Sequence, residues 1–251
     1  MRALLAPAAI AVLLLTTSSA GAAGAPGQGG GVDFRAGVFF PSADSDFWDE
    51  KEDNFTLDHS DMDGFTASLG YVAPINNYVE FDIDAAFYAA EELSSDADFT
   101  DTFGNDIFHD TRLFTFPVTV SVRVLPAGRY ARRGAEGRHY VRRPAPYIGA
   151  GVGLTYWRFE EEGDFVFDSP TGFVVDYDRM QDDGVEFETH VKAGIEFPIS
   201  PVWSLTLEAR QSWVEATLDQ GFPSQALSPS PVPRELDLGG LSVLFGASMR
   251  F

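Results

Sequence analysis

Hydrophobic and polar residues alternate with a period of two along most of this chain. In the last such stretch, for example, Leu241 and Val243 flank Ser242. Eight segments of this kind follow one another between residues 32 and 251. Alternation over about 9 to 11 residues is typical of a tilted strand with one apolar and one polar face. The pattern therefore predicts an all-β protein with eight antiparallel strands.

The lengths of the connections distinguish a membrane barrel from a soluble one, whose strands alternate in the same way. Compact joins are expected near residues 73–77 and 198–201. Long segments are expected at residues 41–63, 91–110, 159–183 and 217–235. Short periplasmic turns and long extracellular loops are typical of outer-membrane barrels. We therefore predict an up-and-down transmembrane β-barrel with long acidic extracellular loops.

The polar faces of the strands carry charges of both signs among small residues. A barrel of eight strands is only wide enough for its own side chains, and buried charges persist when they are paired. We therefore predict a salt-bridge network across the lumen. Its expected members are Arg35, Glu80, Asp82, Asp84, Arg123, Glu186, Glu188, His190, Lys192, Glu208, Arg210 and Arg250. Asp33 and Glu196 lie on the same polar faces and are expected to take part. A gated ion path or proton-linked site around Glu188 and His190 is the alternative.

The beginning of the chain predicts export. Arg2 precedes an apolar run over residues 3–15, which is too short to span a bilayer and is followed by small residues. We predict a cleaved signal peptide at residues 1–22, a flexible lead at 23–31 and one barrel domain at 32–251. Ser18 with Ala20, or Ala20 with Ala22, satisfies the cleavage rule, so the exact site stays open.

Composition narrows the classes of protein. The chain has no cysteine, which excludes disulfides, and beyond the signal no apolar run is long enough for a membrane helix. It has 38 acidic and 17 basic residues and a net charge of −21. A nucleic-acid-binding protein would carry the opposite sign, so we expect no nucleic-acid partner.

Two segments support a family resemblance. Arg35-Ala36-Gly37 followed by Pro41, and the run PYIGAGVG at residues 146–153, resemble the first and fifth strands of OmpW-type proteins. Residues 32–251 resemble the small eight-stranded outer-membrane barrels of the OmpW, OmpX and OmpA families. The resemblance implies a bacterial outer-membrane location and contacts with lipid and lipopolysaccharide.

The final strand ends on Phe251, in phase with its apolar face. This resembles the C-terminal signature that the outer-membrane insertion machinery recognises. We therefore predict that Phe251 is an assembly signal and faces lipid.

The resemblance also implies passage of small hydrophobic solutes, which requires an apolar upper lumen. Phe39, Tyr88, Leu113 and Trp157 lie on the inward register near the extracellular rim. They either line a path or close the barrel by packing. The chain is thus expected to be a narrow channel or a structural envelope protein, or alternatively an adhesion barrel with a plugged lumen.

Other candidate chemistry lies in the connections. Carboxylate clusters suit loosely bound calcium or magnesium, which would bridge the loops to lipopolysaccharide, although a solvated, self-repelling loop surface is the favoured explanation. The weak loop candidates for such a site are Asp44, Asp46, Asp49, Asp61 and Asp63. No cofactor is expected. The histidine spacings suggest no nucleophile with a base, so we expect no enzyme.

Two further segments are informative. Six arginines crowd the insert at residues 126–144, which either contacts anionic head groups or the cell wall or forms a disordered turn. The turn residues at 169–172 predict a hairpin that extends above the membrane.

Overall fold

The computed structural model describes residues 29–101, 103–133, 139–169, 172–218 and 235–251. The predicted signal peptide and residues 23–28 of the predicted lead lie outside them. The elements in chain order are β1 (Gly31–Pro41), α1 (Asp46–Asn54), a 3-10 turn (His59–Met62), β2 (Gly64–Pro74), β3 (Val79–Thr100), β4 (Asp106–Val124), β5 (Tyr130–Arg133), β6 (His139–Arg142), β7 (Ala145–Ser169), β8 (Gly172–Pro198), β9 (Trp203–Trp213), β10 (Glu215–Thr217), β11 (Glu235–Asp237) and β12 (Gly240–Arg250).

Eight of the strands close into an antiparallel barrel, in the order β1-β12-β9-β8-β7-β4-β3-β2. The first and last strands pair along their whole length, from Gly31 with Arg250 to Pro41 with Gly240. Closure leaves no free edge within the barrel wall. The predicted eight-stranded barrel is confirmed, and its first strand begins at Gly31, the last residue of the predicted lead.

The two faces of each strand follow the alternation in the sequence. In β1, Phe34 is 58% exposed on the outside whereas Arg35 is fully buried inside. In β12, Phe245 is 59% exposed and Ser248 is fully buried. Such an apolar outer band with a polar interior is the pattern of a barrel that faces lipid. Within the described ranges, no helix is long and apolar enough to cross a membrane.

Two hairpins carry the sheet beyond the apolar band. The prediction of a long loop at residues 91–110 is wrong, because β3 continues to Thr100 and β4 starts at Asp106. Alternation persists there, with Leu93 exposed and Ser94 buried. The predicted upper hairpin of β7 and β8 is confirmed, and Ser169 pairs with Gly172. These four strands form the extracellular extension.

The basic insert forms a hairpin, so the expectation of a disordered turn is wrong for its described part. Strands β5 and β6 pair from Tyr130 with Arg142 to Arg133 with His139. The Arg142 guanidinium donates to the carbonyl oxygen of Pro201 at 3.1 Å, in the neighbouring short turn. This contact holds the hairpin against the end of the barrel at which the chain connections are short.

Candidate functional site

Glycines on β7 make room for the charges in the lumen. Gly149, Gly151 and Gly153 occupy inward positions beside β8. A Cβ atom at Gly151 would lie 2.7 Å from Cε1 of His190 and 2.3 Å from the carbonyl oxygen of Val120. A larger residue would therefore collide with the neighbouring strand. The small face of β7 lets the long side chains of β8 reach into the lumen.

The ion pairs nearest the periplasmic end involve an arginine from the insert. Arg129 forms two hydrogen bonds to Glu80, at 2.6 and 2.7 Å, and also pairs with Glu196. Arg250 pairs with the same Glu196 carboxylate. Arg129 belongs to the basic insert, which lies outside the alternating segments. Alternation therefore could not predict that its side chain lies inside the lumen. Glu80 and Arg250 lie where they were predicted.

The middle of the lumen is organised around Arg123. Its guanidinium lies 3.0 Å from Asp33 and 2.9 Å from Asp82, and its carbon is 4.9 Å from the centre of the Tyr147 ring. Lys192 pairs with Asp82 as well. All four charged side chains are buried. Because each charge has an opposite partner, desolvation is offset by attraction within the group.

A third group lies above the first two. Arg35 pairs with Asp84 and donates to Glu208 at 2.6 Å, while Arg210 donates to Asp84 at 2.9 Å. The Tyr147 hydroxyl donates to Glu208 at 2.6 Å. Strands β1, β3 and β9 are thus joined across the barrel interior. The three groups together are named the ionic layer.

The other residues of the predicted salt-bridge network, Glu188, His190 and Glu186, form fewer ion pairs and hydrogen bonds. Glu188 accepts a hydrogen bond from the Thr155 hydroxyl at 2.5 Å, and its carboxylate lies 3.5 Å from Nδ1 of His190. Neither ring nitrogen of His190 has a hydrogen-bond partner among the described residues. Glu186 is half-buried and makes no ion pair in the described part of the chain. Glu186 therefore lies outside the ion-pair network that the described residues form.

An apolar layer closes the lumen above the ionic layer. The four predicted rim residues, Phe39, Tyr88, Leu113 and Trp157, are all buried in one cluster with Phe47 and Trp48 of α1 and with Leu236 and Leu238 near β11. The Tyr88 ring packs edge-on against Phe39 at 4.7 Å. The rim residues therefore pack against chain segments that fold down from the loops.

Specific polar contacts hold α1 in this position. Lys51 reaches the buried Glu161 carboxylate at 2.7 Å, and its ammonium group lies 4.7 Å from the centre of the Phe55 ring. The Trp48 indole nitrogen donates to the carbonyl oxygen of Asp237 at 3.1 Å. The first contact ties the helix to β7, and the second ties it to β11.

A small cavity lies between the two layers. It offers about 40 Å³ and is lined on its polar side by Thr66, Thr155, Glu188, Arg210 and Ser212. A buried water needs roughly 10 to 15 Å³, so the cavity has room for a few ordered waters. Its dimensions are much smaller than those of a ligand pocket for a drug-sized molecule.

The acidic loop candidates do not converge. Asp46 and Asp49 lie in the first turn of α1, where carboxylates favour the helix, and the Asp61 carboxylate accepts from the backbone of Asp58. The backbone of Asp44 bonds to Asp237, and Asp63 ends the 3-10 turn. The structure instead brings together the exposed side chains of Glu52, Asp58 and His59.

Two histidines outside the apolar band have opposite environments. Burial lowers the pKa of His109 to about 3, with nearby Lys51 acting in the same direction. Its Nε2 atom lies 2.9 Å from the Ser94 hydroxyl. A hydrogen bond to Glu52 raises the pKa of the exposed His59. At neutral pH His109 is therefore uncharged.

Solved structures of two outer-membrane proteins are similar to this chain. OprG of Pseudomonas aeruginosa is 12% identical, with a TM-score of 0.52, and the match covers 90% of this chain and 98% of that one. Outer membrane protein W of Escherichia coli is 15% identical over 89% of this chain and 99% of its own, with a TM-score of 0.36. A search of curated protein sequences gave no match.

The family itself is identified by sequence. The model of the outer membrane protein beta-barrel domain matches residues 8–228, which is most of the chain. The likeness to OprG supports the same fold. This chain therefore belongs to the outer membrane protein beta-barrel domain family.

Proposed function

We propose that this protein is an outer-membrane barrel with a closed lumen, whose extracellular extension is its interaction surface. The observation that supports this most is the filling of the lumen by two layers. The ionic layer joins opposite walls through buried ion pairs, and the apolar layer seals the extracellular end with Phe47 and Trp48 of α1.

The lumen geometry favours this function over a channel. A solute would have to displace the apolar layer and then break several buried ion pairs. Removing one partner of a buried pair costs about 3 to 5 kcal/mol, because it leaves an uncompensated charge. A path for hydrophobic solutes also requires continuous apolar lining, whereas Arg35, Arg123 and Glu208 cross the middle of this lumen.

The extension supports a role in surface interaction. It carries exposed apolar side chains above the membrane band, including Leu93, Phe108, Phe173 and Tyr177. A salt-bridged strip lies on the same strands, where Arg112 contacts Glu91 at 2.8 Å. Exposed apolar groups that lipid does not cover are typical of contact surfaces for partners.

Uptake by liposomes tests the closed lumen. Proteoliposomes containing the mature protein would be compared with empty liposomes for entry of arabinose and of a small hydrophobic fluorophore. We expect both solutes to enter proteoliposomes and empty liposomes at the same rate. The same result is expected for a variant in which residues 43–62 are replaced by a short glycine-serine linker, because the ionic layer remains. Faster, saturable uptake by the wild-type protein would show that it is a channel.

A further inference from the structure

The upper half of β8 is a long sheet edge. β8 pairs with β9 only from Thr189 to Pro198, whereas it pairs with β7 from Gly172 to Glu196. Within the described residues, Gly172 to Glu188 has no paired strand on the side away from β7, although β10 approaches β8 near its lower end. All eight residues from Gly172 to Arg179 are exposed.

The opposite edge of the extension is covered. On β3, the backbone carbonyl of Ser95 accepts from the backbone amide of Thr56 at 2.9 Å, and Phe55 bridges to Asp96. The segment after α1 thus lies along that edge. Natural proteins shorten, charge or cover exposed edges, because the unpaired N–H and C=O groups are a template for another strand. Because the β3 edge is covered and, among the described residues, the upper β8 edge is not, β8 is the edge on which another strand could pair.

The charge of the upper half of β8 indicates which kind of strand could pair with its free edge. The upper half of β8 carries one arginine, Arg179, and a set of acids made up of Asp176, Asp178, Asp182, Asp183, Glu186 and Glu188. A second copy of this chain would bring the same acidic strand against it, and opposed like charges destabilise strand pairs. A strand with lysine or arginine would gain from the same acids. The exposed Val175 and Tyr177 offer apolar contacts to its other side chains.

We propose that the edge of β8 from Gly172 to Asp183 binds an extended, positively charged segment of a partner protein as an added β-strand. This rests on the proposed function, in which the extension is the interaction surface. Backbone hydrogen bonds along the edge would supply affinity, and the aspartates would select a basic sequence. The same aspartates would discourage self-association of the barrel.

A peptide-binding experiment tests the proposal. The probe is a fluorescent peptide of about twelve residues that alternates lysine and valine, measured by anisotropy with the full barrel in detergent micelles. We expect binding that weakens with salt. The double variant Asp176→Lys/Asp178→Lys should weaken it by about tenfold or more, an estimate from loss of two cross-strand charge pairs. The matched control Asp46→Lys/Asp49→Lys makes the same charge change on α1 and should bind like the wild type.

A second probe separates strand addition from simple charge attraction. The same peptide with alternate backbone amides methylated keeps its lysines but cannot form the ladder, so it should bind much more weakly. Equal binding of the methylated peptide, no binding of the first peptide, or dimerisation of the free barrel through β8 would each overturn the proposal. None of these results affects the liposome-uptake experiment. A failure of the β8 proposal is therefore distinguishable from a failure of the proposal that the lumen is closed.

Discussion

Arg123 lies at the centre of the ionic layer. Its guanidinium is fully buried and contacts Asp33 and Asp82, and it also lies 3.7 Å from Glu196. An arginine there offers a planar fork of five N–H donors, a geometry that the compact ammonium group of lysine does not reproduce. Arg123 therefore contributes to the charge balance of three carboxylates, which it shares with Lys192, Arg129 and Arg250.

Replacing this residue should destabilise the barrel. Arg123→Gln leaves Asp33 and Asp82 less compensated, and we expect the free energy of unfolding to fall by about 3 to 5 kcal/mol. Urea unfolding followed by tryptophan fluorescence in lipid vesicles measures it. Glu186→Gln is the matched control, because Glu186 is half-buried without an ion pair, and it should change stability by less than about 1 kcal/mol. Equal effects of the two variants would contradict the ionic layer.

The two histidines of the extracellular side should titrate differently. The folded-state pKa of His109 lies below its ordinary value, so its contribution to stability is present above about pH 6.5 and is lost as the pH falls towards 3. The pKa of His59 is raised, so its contact with Glu52 is strongest at low pH and weakens as the pH rises through that pKa.

Nuclear magnetic resonance of the imidazole groups checks this prediction in one sample. As the pH falls from 8 to 4, the His59 signal should move towards its protonated position while that of His109 stays at the neutral position. The variant Glu52→Gln should lower the pKa of His59 and leave His109 unchanged. A His109 signal that titrates near pH 6.5 would show that the site is not buried as described.

Residues were predictable where alternation decides their face. Arg35, Asp82 and Glu208 lie inside as expected, since a strand places every second side chain on the same face. Arg129 was not predictable, because it follows β4 in a connection and turns back into the lumen. Its only signal in the sequence is a cluster of arginines. Which arginine enters depends on the position of the hairpin in three dimensions.

Among the elements, α1 determines whether the extracellular end is closed. The helix is short and acidic, and its stability depends on tertiary contacts rather than on intrinsic propensity. Its Lys51 side chain meets a Glu161 carboxylate that is fully buried. Breaking that contact should loosen the helix without affecting the barrel wall.

Hydrogen exchange tests the attachment of α1. Glu161→Gln removes the charge at nearly constant shape, and a lost charge-assisted hydrogen bond of about 1.5 to 3 kcal/mol predicts about 10- to 100-fold faster exchange over residues 46–54. Exchange within the lumen-lining part of β7 should stay slow. Asp164→Asn, an exposed substitution on the same strand, should leave α1 unchanged. Unaltered exchange in Glu161→Gln would show that Lys51 does not hold the helix.

The sequence indicated some elements better than others. Eight strands and the β7–β8 hairpin follow from alternation and from the turn residues at 169–172. The upper parts of β3 and β4 resemble a loop in sequence because acidic residues such as Glu91 and Asp110 dominate them, although Leu93 and Phe99 keep the period of two. Helix α1 was not predicted from the sequence because acidic residues dominate it as well. Burial of Phe47 and Trp48 became evident only from the packing.

At the scale of the whole molecule, Phe251 continues the ladder that closes the barrel. Its backbone amide donates to the carbonyl oxygen of Gly30 at 3.1 Å, and its ring is exposed on the lipid-facing side. Its role as an assembly signal stays a prediction. Because the side chain is exposed and points away from the lumen, an effect on assembly would be separable from an effect on stability.

Deleting Phe251 should reduce the amount of folded barrel in cells, while the purified variant refolds in detergent about as well as the wild type. The folded fraction is read from the mobility shift between heated and unheated samples on gels. Phe245→Ala removes another exposed lipid-facing aromatic ring and should assemble normally. Normal assembly without Phe251 would contradict its assignment as a signal.

Electrical recording in planar bilayers tests the closed lumen most directly. Purified, folded wild-type protein at neutral pH should give no reproducible current steps, since the ionic layer and the apolar layer block the lumen in series. The linker variant lacking residues 43–62 should also stay silent, because buried pairs around Arg35 and Arg123 remain. Reproducible single-channel steps from the wild-type barrel, altered in size by Glu188→Gln, would contradict the closed lumen.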